Sequence, residues 1–196
     1  MRRLLLLVLL PLLSLLSTSA SAATLVVDVR DARGAAVTEA VVYALPVGRQ
    51  FPPASRTAVM DQKNRTFIPH VLAIQTGTAV RFPNSDDIRH QVYSFSSAKT
   101  FQLPLYKGTP ANPVRFDKSG VVSLGCNIHD RMSAYIVIVD TPHFAVTKNG
   151  RTEIASVGAG RYALHVWYPE MKDAPPPVAL TLAATDTKAL TVTVRK

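Results

Sequence analysis

Gly125-Cys126-Asn127-Ile128-His129-Asp130-Arg131-Met132 places a thiol, an imidazole and a thioether at three-residue intervals. The run directly follows a short apolar stretch at 121–124 that reads as a β-strand. Upstream, His90 stands six residues after Asn84 and just ahead of an alternating stretch at 91–95. Two histidines, one cysteine and one methionine are the donor set of a blue-copper centre. The chemistry explains the residue types. A thiolate and two imidazoles form a trigonal plane that both copper oxidation states accept, and a weak axial thioether tunes the potential. A site that hardly changes shape between the two states passes an electron quickly. A zinc site can use the same cysteine and histidines, but zinc gives no reason for the thioether.

Outward from this segment the chain reads as strands and turns. Period-two alternation or short apolar runs mark strands at 24–30, 40–45, 71–74, 79–82, 114–116, 162–168, 178–182 and 190–194. The run at 135–139 is continuously apolar and rich in β-branched residues, as suits a buried strand. Turn signals sit at Asp31 to Gly34, Thr76-Gly77, Lys118-Ser119-Gly120 and Gly158-Ala159-Gly160. Long helical periodicity is missing. The expectation is an all-β protein, a Greek-key β-sandwich with additional strands from its flanks.

At the donor residues the sequence resembles the cupredoxins, the blue type 1 copper proteins. Within them it is most similar to the amicyanin and plastocyanin kind, with a short Cys-x-x-His-x-x-Met loop. Phe67-Ile68-Pro69, Gly77, Val80, Phe82 and Asn84 match that family's landmarks in order, as do Phe116 and Gly120 ahead of Cys126. The resemblance covers residues 55–140. It implies that His90, Cys126, His129 and Met132 ligate copper, cycling between Cu(I) and Cu(II). It also implies that Asn84 hydrogen-bonds near the ligand loop and ties the two ligand segments together. The chain departs from the family at Arg89 and Asp130, where proline often stands. With Arg131 these residues make a charged rim where the family carries an apolar electron port. The resemblance is to the kind labelled methylamine utilization protein, and a link to amicyanin's partner, a methylamine dehydrogenase, is an analogy only. The flanks, 23–54 and 141–196, resemble one carboxypeptidase-regulatory-like, prealbumin-type sandwich into which 55–140 is inserted.

The start of the chain adds a compartment. Met1-Arg2-Arg3, a leucine-rich stretch to Leu16, and Ala20-Ser21-Ala22 read as a secretory signal peptide over 1–22, too short for a membrane span. Its loss leaves an exported, periplasmic chain whose formal charge falls from +9 to +7. In an oxidising compartment cysteines are normally paired, yet Cys126 is the single cysteine of 196 residues. That excludes an intrachain disulfide framework and agrees with a thiolate kept for metal. The 47% apolar composition argues against disorder. Scattered positive charge without interleaved aromatics argues against a nucleic-acid partner and suits an acidic redox protein or an anionic membrane surface. His70, His143 and His165 read as structural or surface residues, and Asp86-Asp87 as a solvated turn. No hydrolase constellation emerges, and four protein donors leave copper no open position for substrate, so an enzyme is not expected. The expected role is a one-electron carrier. The alternatives are a copper-handling or storage protein, and a β-sandwich interaction module with a secondary metal site.

Overall fold

The computed structural model describes residues 22–195 and is all-β throughout them. The expected signal segment, apart from Ala22, lies outside the described residues. The strands are β1 (Ala23–Asp31), β2 (Val41–Pro46), β3 (Thr57–Val59), β4 (Asp61–Lys63), β5 (Thr66–Ile68) and β6 (Val71–Gln75). They continue as β7 (Thr78–Arg81), β8 (His90–Ser96), β9 (Lys99–Tyr106), β10 (Val114–Phe116), β11 (Gly120–Gly125) and β12 (Ser133–Val139). The last five are β13 (Phe144–Val146), β14 (Arg151–Val157), β15 (Gly160–Trp167), β16 (Val178–Leu182) and β17 (Thr187–Val194).

Strands from the two ends of the chain pair with one another. One sheet runs β14-β1-β17, with β1 and β17 parallel, and a second runs β13-β2-β15-β16. The alternation of β1 explains its place: Ala23, Leu25, Val27 and Val29 are buried while Thr24, Val26, Asp28 and Arg30 are partly exposed. These side chains share a core with Leu164, Val166, Leu180 and Val194 from the other strands.

The middle of the chain forms a separate core. Here the larger sheet runs β6-β12-β11-β8-β9, a smaller one runs β10-β7-β3, and β4 and β5 form a hairpin. Phe67, Val80, Phe82, Val92, Phe116, Leu124, Ala134, Ile136 and Ile138 pack between them, together with Cys126 and Met132. The apolar run of β12 serves two cores. Ala134, Ile136 and Ile138 face the metal-donor side, whereas Val137 and Val139 join Val41 and Val71 in a third cluster. Tyr43, Phe144, Val146 and Trp167 of the flanking strands pack against that cluster. A strand buried on both faces loses its polar alternation, as the sequence of β12 shows. The entry from the N-terminal flank is pinned at Gly77, at φ +91°, where a Cβ would lie 2.7 Å from the Ala54 carbonyl oxygen. Ala54 N–H donates to Thr76 O at 2.7 Å across the same junction.

Candidate metal centre

The donors converge at one end of the central sheets. His90 opens β8, and Cys126 follows the last residue of β11. The segment after Cys126 coils tightly. His129 N–H donates to Cys126 O at 3.4 Å, and Met132 N–H donates to His129 O at 2.8 Å. Two three-residue turns in succession explain the Cys-x-x-His-x-x-Met spacing, since each turn returns the next side chain toward the same side. Cys126 and Met132 are buried, and His90 is fully so. His129 is half-buried and gives the group its one side toward solvent.

One donor atom each from His90, Cys126 and His129 lie within 4.8 Å of one another. Cys126 Sγ is 3.9 Å from His90 Nδ1, and the two imidazole ring centres are 5.1 Å apart. With metal–sulfur bonds of about 2.3 Å and metal–nitrogen bonds of about 2.0 Å, a trigonal arrangement separates sulfur from nitrogen by about 3.7 Å. The Cys126–His90 spacing therefore suits a shared ion. His129 Nδ1 supplies a second test of fit, being a buried nitrogen with no hydrogen-bond partner. Such a buried polar atom normally costs free energy unless something pairs it, and a metal bond would do so. Met132 is buried in the same core cluster as Cys126.

The far side of His90 is also fixed. Its Nε2–H donates to Asp86 Oδ2 at 2.7 Å. That assigns the proton to Nε2 and leaves the lone pair on Nδ1, the nitrogen facing the thiol. Asp86 is held in turn by the β4–β5 hairpin, whose Asn64 and Arg65 N–H groups donate to its two carboxylate oxygens at 2.6 and 2.9 Å. Both turn residues adopt positive φ, 55° and 58°, which aims successive N–H groups at one anion. Burial alone raises the Asp86 pKa, but the Arg65 N–H, His90 and the Asn64 N–H together bring it below the ordinary carboxylate value. The sequence reading of Asp86-Asp87 as a solvated turn is thus corrected for Asp86, whose side chain is only 13% exposed. Its four-residue spacing from His90 was the available signal.

Asn84 differs in detail from its expected role. Its side-chain N–H groups donate to Ile88 O at 2.9 Å and Tyr106 O at 2.8 Å, and its Oδ1 accepts from Asp86 N–H at 3.0 Å. All of these partners lie on the His90 side, so Asn84 shapes the loop leading into His90 and the end of β9. Tyr106 closes this corner by donating to Phe82 O at 2.7 Å. Burial pushes its phenol up to about 12; the hydrogen bond from Gln62 opposes that rise, and nearby Cys126 and Asp61 add to it.

The rim is mixed. Arg89, Asp130 and Arg131 are exposed as expected, but so are Ile88 and Ile128, at 39% and 47%. His70, His143 and His165 are away from the donor group. His70 pairs with Glu39 at 2.8 Å, His165 stacks on Tyr43, and His143 meets the edges of Phe51 and Tyr162.

No family model matches the chain, and no curated protein matches it. Among solved structures, a reduced tryptophan-to-tyrosine variant of amicyanin is similar over 50% of this chain and 99% of its own, with 19% identity and a TM-score of 0.40. An oxidised methionine-to-leucine variant of amicyanin is similar over the same shares, with 18% identity and a TM-score of 0.38. A copper-containing nitrite reductase from Thermus scotoductus SA-01 is similar over 50% of this chain at 24% identity and a TM-score of 0.41. The chain spans 25% of that reductase's length.

Proposed function

We propose that this chain is a type 1 copper protein of the periplasm that carries single electrons and is not itself an enzyme. The observation that carries the reading is the convergence of one donor atom each from His90, Cys126 and His129 within 4.8 Å, with Met132 buried in the same core as Cys126. Soft thiolate, two imidazoles and a thioether favour copper over the harder divalent ions. In this reading His90, Cys126 and His129 form the plane and Met132 is the weak axial donor. Asp86 and Asn84 hold His90 from behind. A largely buried site, fixed by backbone and carboxylate contacts, keeps its shape when the charge on the metal changes. The partner is an acidic redox protein, drawn by the chain's positive charge.

Titrating the metal-free protein with Cu(II) is the test. An intense visible thiolate-to-copper band, lost in Cys126→Ser, is expected. A colourless Cu(II) complex would overturn the reading. Fast exchange of copper with a chelator, without reversible one-electron cycling, would favour copper handling instead.

A further inference from the structure

The outer face of the central five-stranded sheet is only half covered. Tyr135 and Val137 of β12, with Val71 and Ala73 of β6, are packed under the flanking strands. The same face continues across β11 and β8, where Ser123 and Gly125 lie beside Tyr93 and Phe95. Tyr93, Phe95, Ser96, Ser123, Leu124 and Gly125 line a shallow depression there. Phe95 is 78% exposed, and its ring lies 5.3 Å from that of Tyr93.

The inner end of this aromatic pair reaches the metal centre. Tyr93 is the cross-strand partner of Gly125, the residue before Cys126. A Cβ on Gly125 would lie 2.6 Å from the Tyr93 ring and hydroxyl oxygen, so the ring rests directly on the glycine backbone. From the exposed Phe95 ring the route runs through Tyr93 to the Gly125 backbone, and then through one peptide bond into Cys126.

Two lysines stand at the hairpin tip that closes this outer end. Lys118 Nζ donates to Ser97 O at 3.3 Å, and Lys99 pairs with Ser96, which by alternation places it on the face opposite Phe95. The neighbouring Asp117 is taken up by Arg115 at 3.0 Å. The rim around His129, by contrast, interleaves Arg89 and Arg131 with Asp87 and Asp130.

We infer that this uncovered half-face is where a redox protein docks, through an apolar patch edged by carboxylates, and that Tyr93 couples it to Cys126. This rests on the copper reading above. The step is a single electron passing from the partner's reduced centre, which is oxidised by one unit, to the Cys126-bound metal, Cu(II) becoming Cu(I). No bond forms or breaks, and Tyr93 keeps its electrons and proton. The flanking strands cover one half of the sheet and leave the other half as the docking floor.

Two measurements test it on the whole chain. On the metal-free protein, the paramagnetic anion hexacyanochromate(III) should broaden amide resonances of residues 95–99 and 118 more than those of residues 128–131. Lys99→Glu with Lys118→Glu should remove that broadening. On the copper-loaded protein, reduction by hexacyanoferrate(II) should slow roughly tenfold in the double variant at low salt. Tyr93→Leu should slow it while leaving the visible band unchanged, whereas Tyr93→Phe should restore the rate. Broadening centred on 128–131, or rates unmoved in both the double variant and Tyr93→Leu, overturns the proposal. If no thiolate-to-copper band forms, the copper reading fails by itself, and the metal-free titration still decides where the anion docks.

Discussion

At the residue scale, Asp86 divides what the sequence shows from what it hides. His90, Cys126, His129 and Met132 stand out in the sequence because a metal centre would demand those atom types, and two turns set the spacing of the last three. Asp86 does not, because the groups that hold it, Asn64 and Arg65, are more than 20 residues away in the chain. Asp86→Ala removes the carboxylate but leaves those turn amides exposed to water. The buried His90 Nε2–H, however, loses its acceptor, so folding stability should fall by about 1–3 kcal/mol. Copper affinity should fall as well, about 10- to 100-fold, because His90 loses the bond that orients it. Competition titration against a chelator, beside a denaturant melt, separates the two effects. Asp86→Asn keeps an acceptor and should lose less affinity. Met132 poses a different choice, between core filler and ligand. Met132→Leu nearly conserves volume, so it should cost under about 1.5 kcal/mol. Voltammetry of the loaded variant should nevertheless show a shifted potential. An unchanged potential would reduce Met132 to packing.

At the element scale, the strands most easily missed are those whose pattern is interrupted. β9 alternates, but Pro104 breaks its signal. The strand tolerates proline because it is the edge of its sheet, where one row of N–H groups needs no partner. β3, β4 and β5 are three residues each, too short for periodicity to register. The histidines of the flanking strands give this scale its prediction. Burial lowers the pKa of His143, with Arg49 adding to the effect, and burial lowers that of His165. Each is therefore held neutral by the fold and takes up its proton more readily when unfolded. The stabilisation is complete above the ordinary value of 6.5 and is lost as pH falls through the lower folded values. Melting temperature should fall on acidification below that point. In a His143→Gln, His165→Gln double variant that part of the slope should flatten. An identical slope in the variant would assign the acid sensitivity elsewhere.

At the scale of the whole molecule, the chain ends meet: β1 pairs with β14 and β17, and β2 pairs with β13 and β15. The short turn patterns of the flanks hinted at this arrangement. Which face of β12 the flanks would cover was not legible, because a run apolar on both faces carries no phase. We propose that residues 55–140 are a folding unit separate from the flanks. Its site-side core is complete within those residues, since every buried member runs from Met60 to Ile138. What the flanks supply is a cover for Val71, Val137 and Val139, through Val41, Phe144 and Trp167 among others. A fragment of residues 55–140 should accordingly bind Cu(II) with the same visible band. It should also self-associate, because an exposed apolar sheet face of this kind is an aggregation liability. Sedimentation of the fragment should show oligomers that Val137→Lys disperses, with the band intact. The same substitution in the full chain should destabilise it, by about 3 kcal/mol or more, because it buries an unpaired charge. A fragment that fails to fold even with Val137→Lys would make the flanks part of one cooperative unit with the site. A monomeric fragment without that substitution would remove the covering role proposed for them.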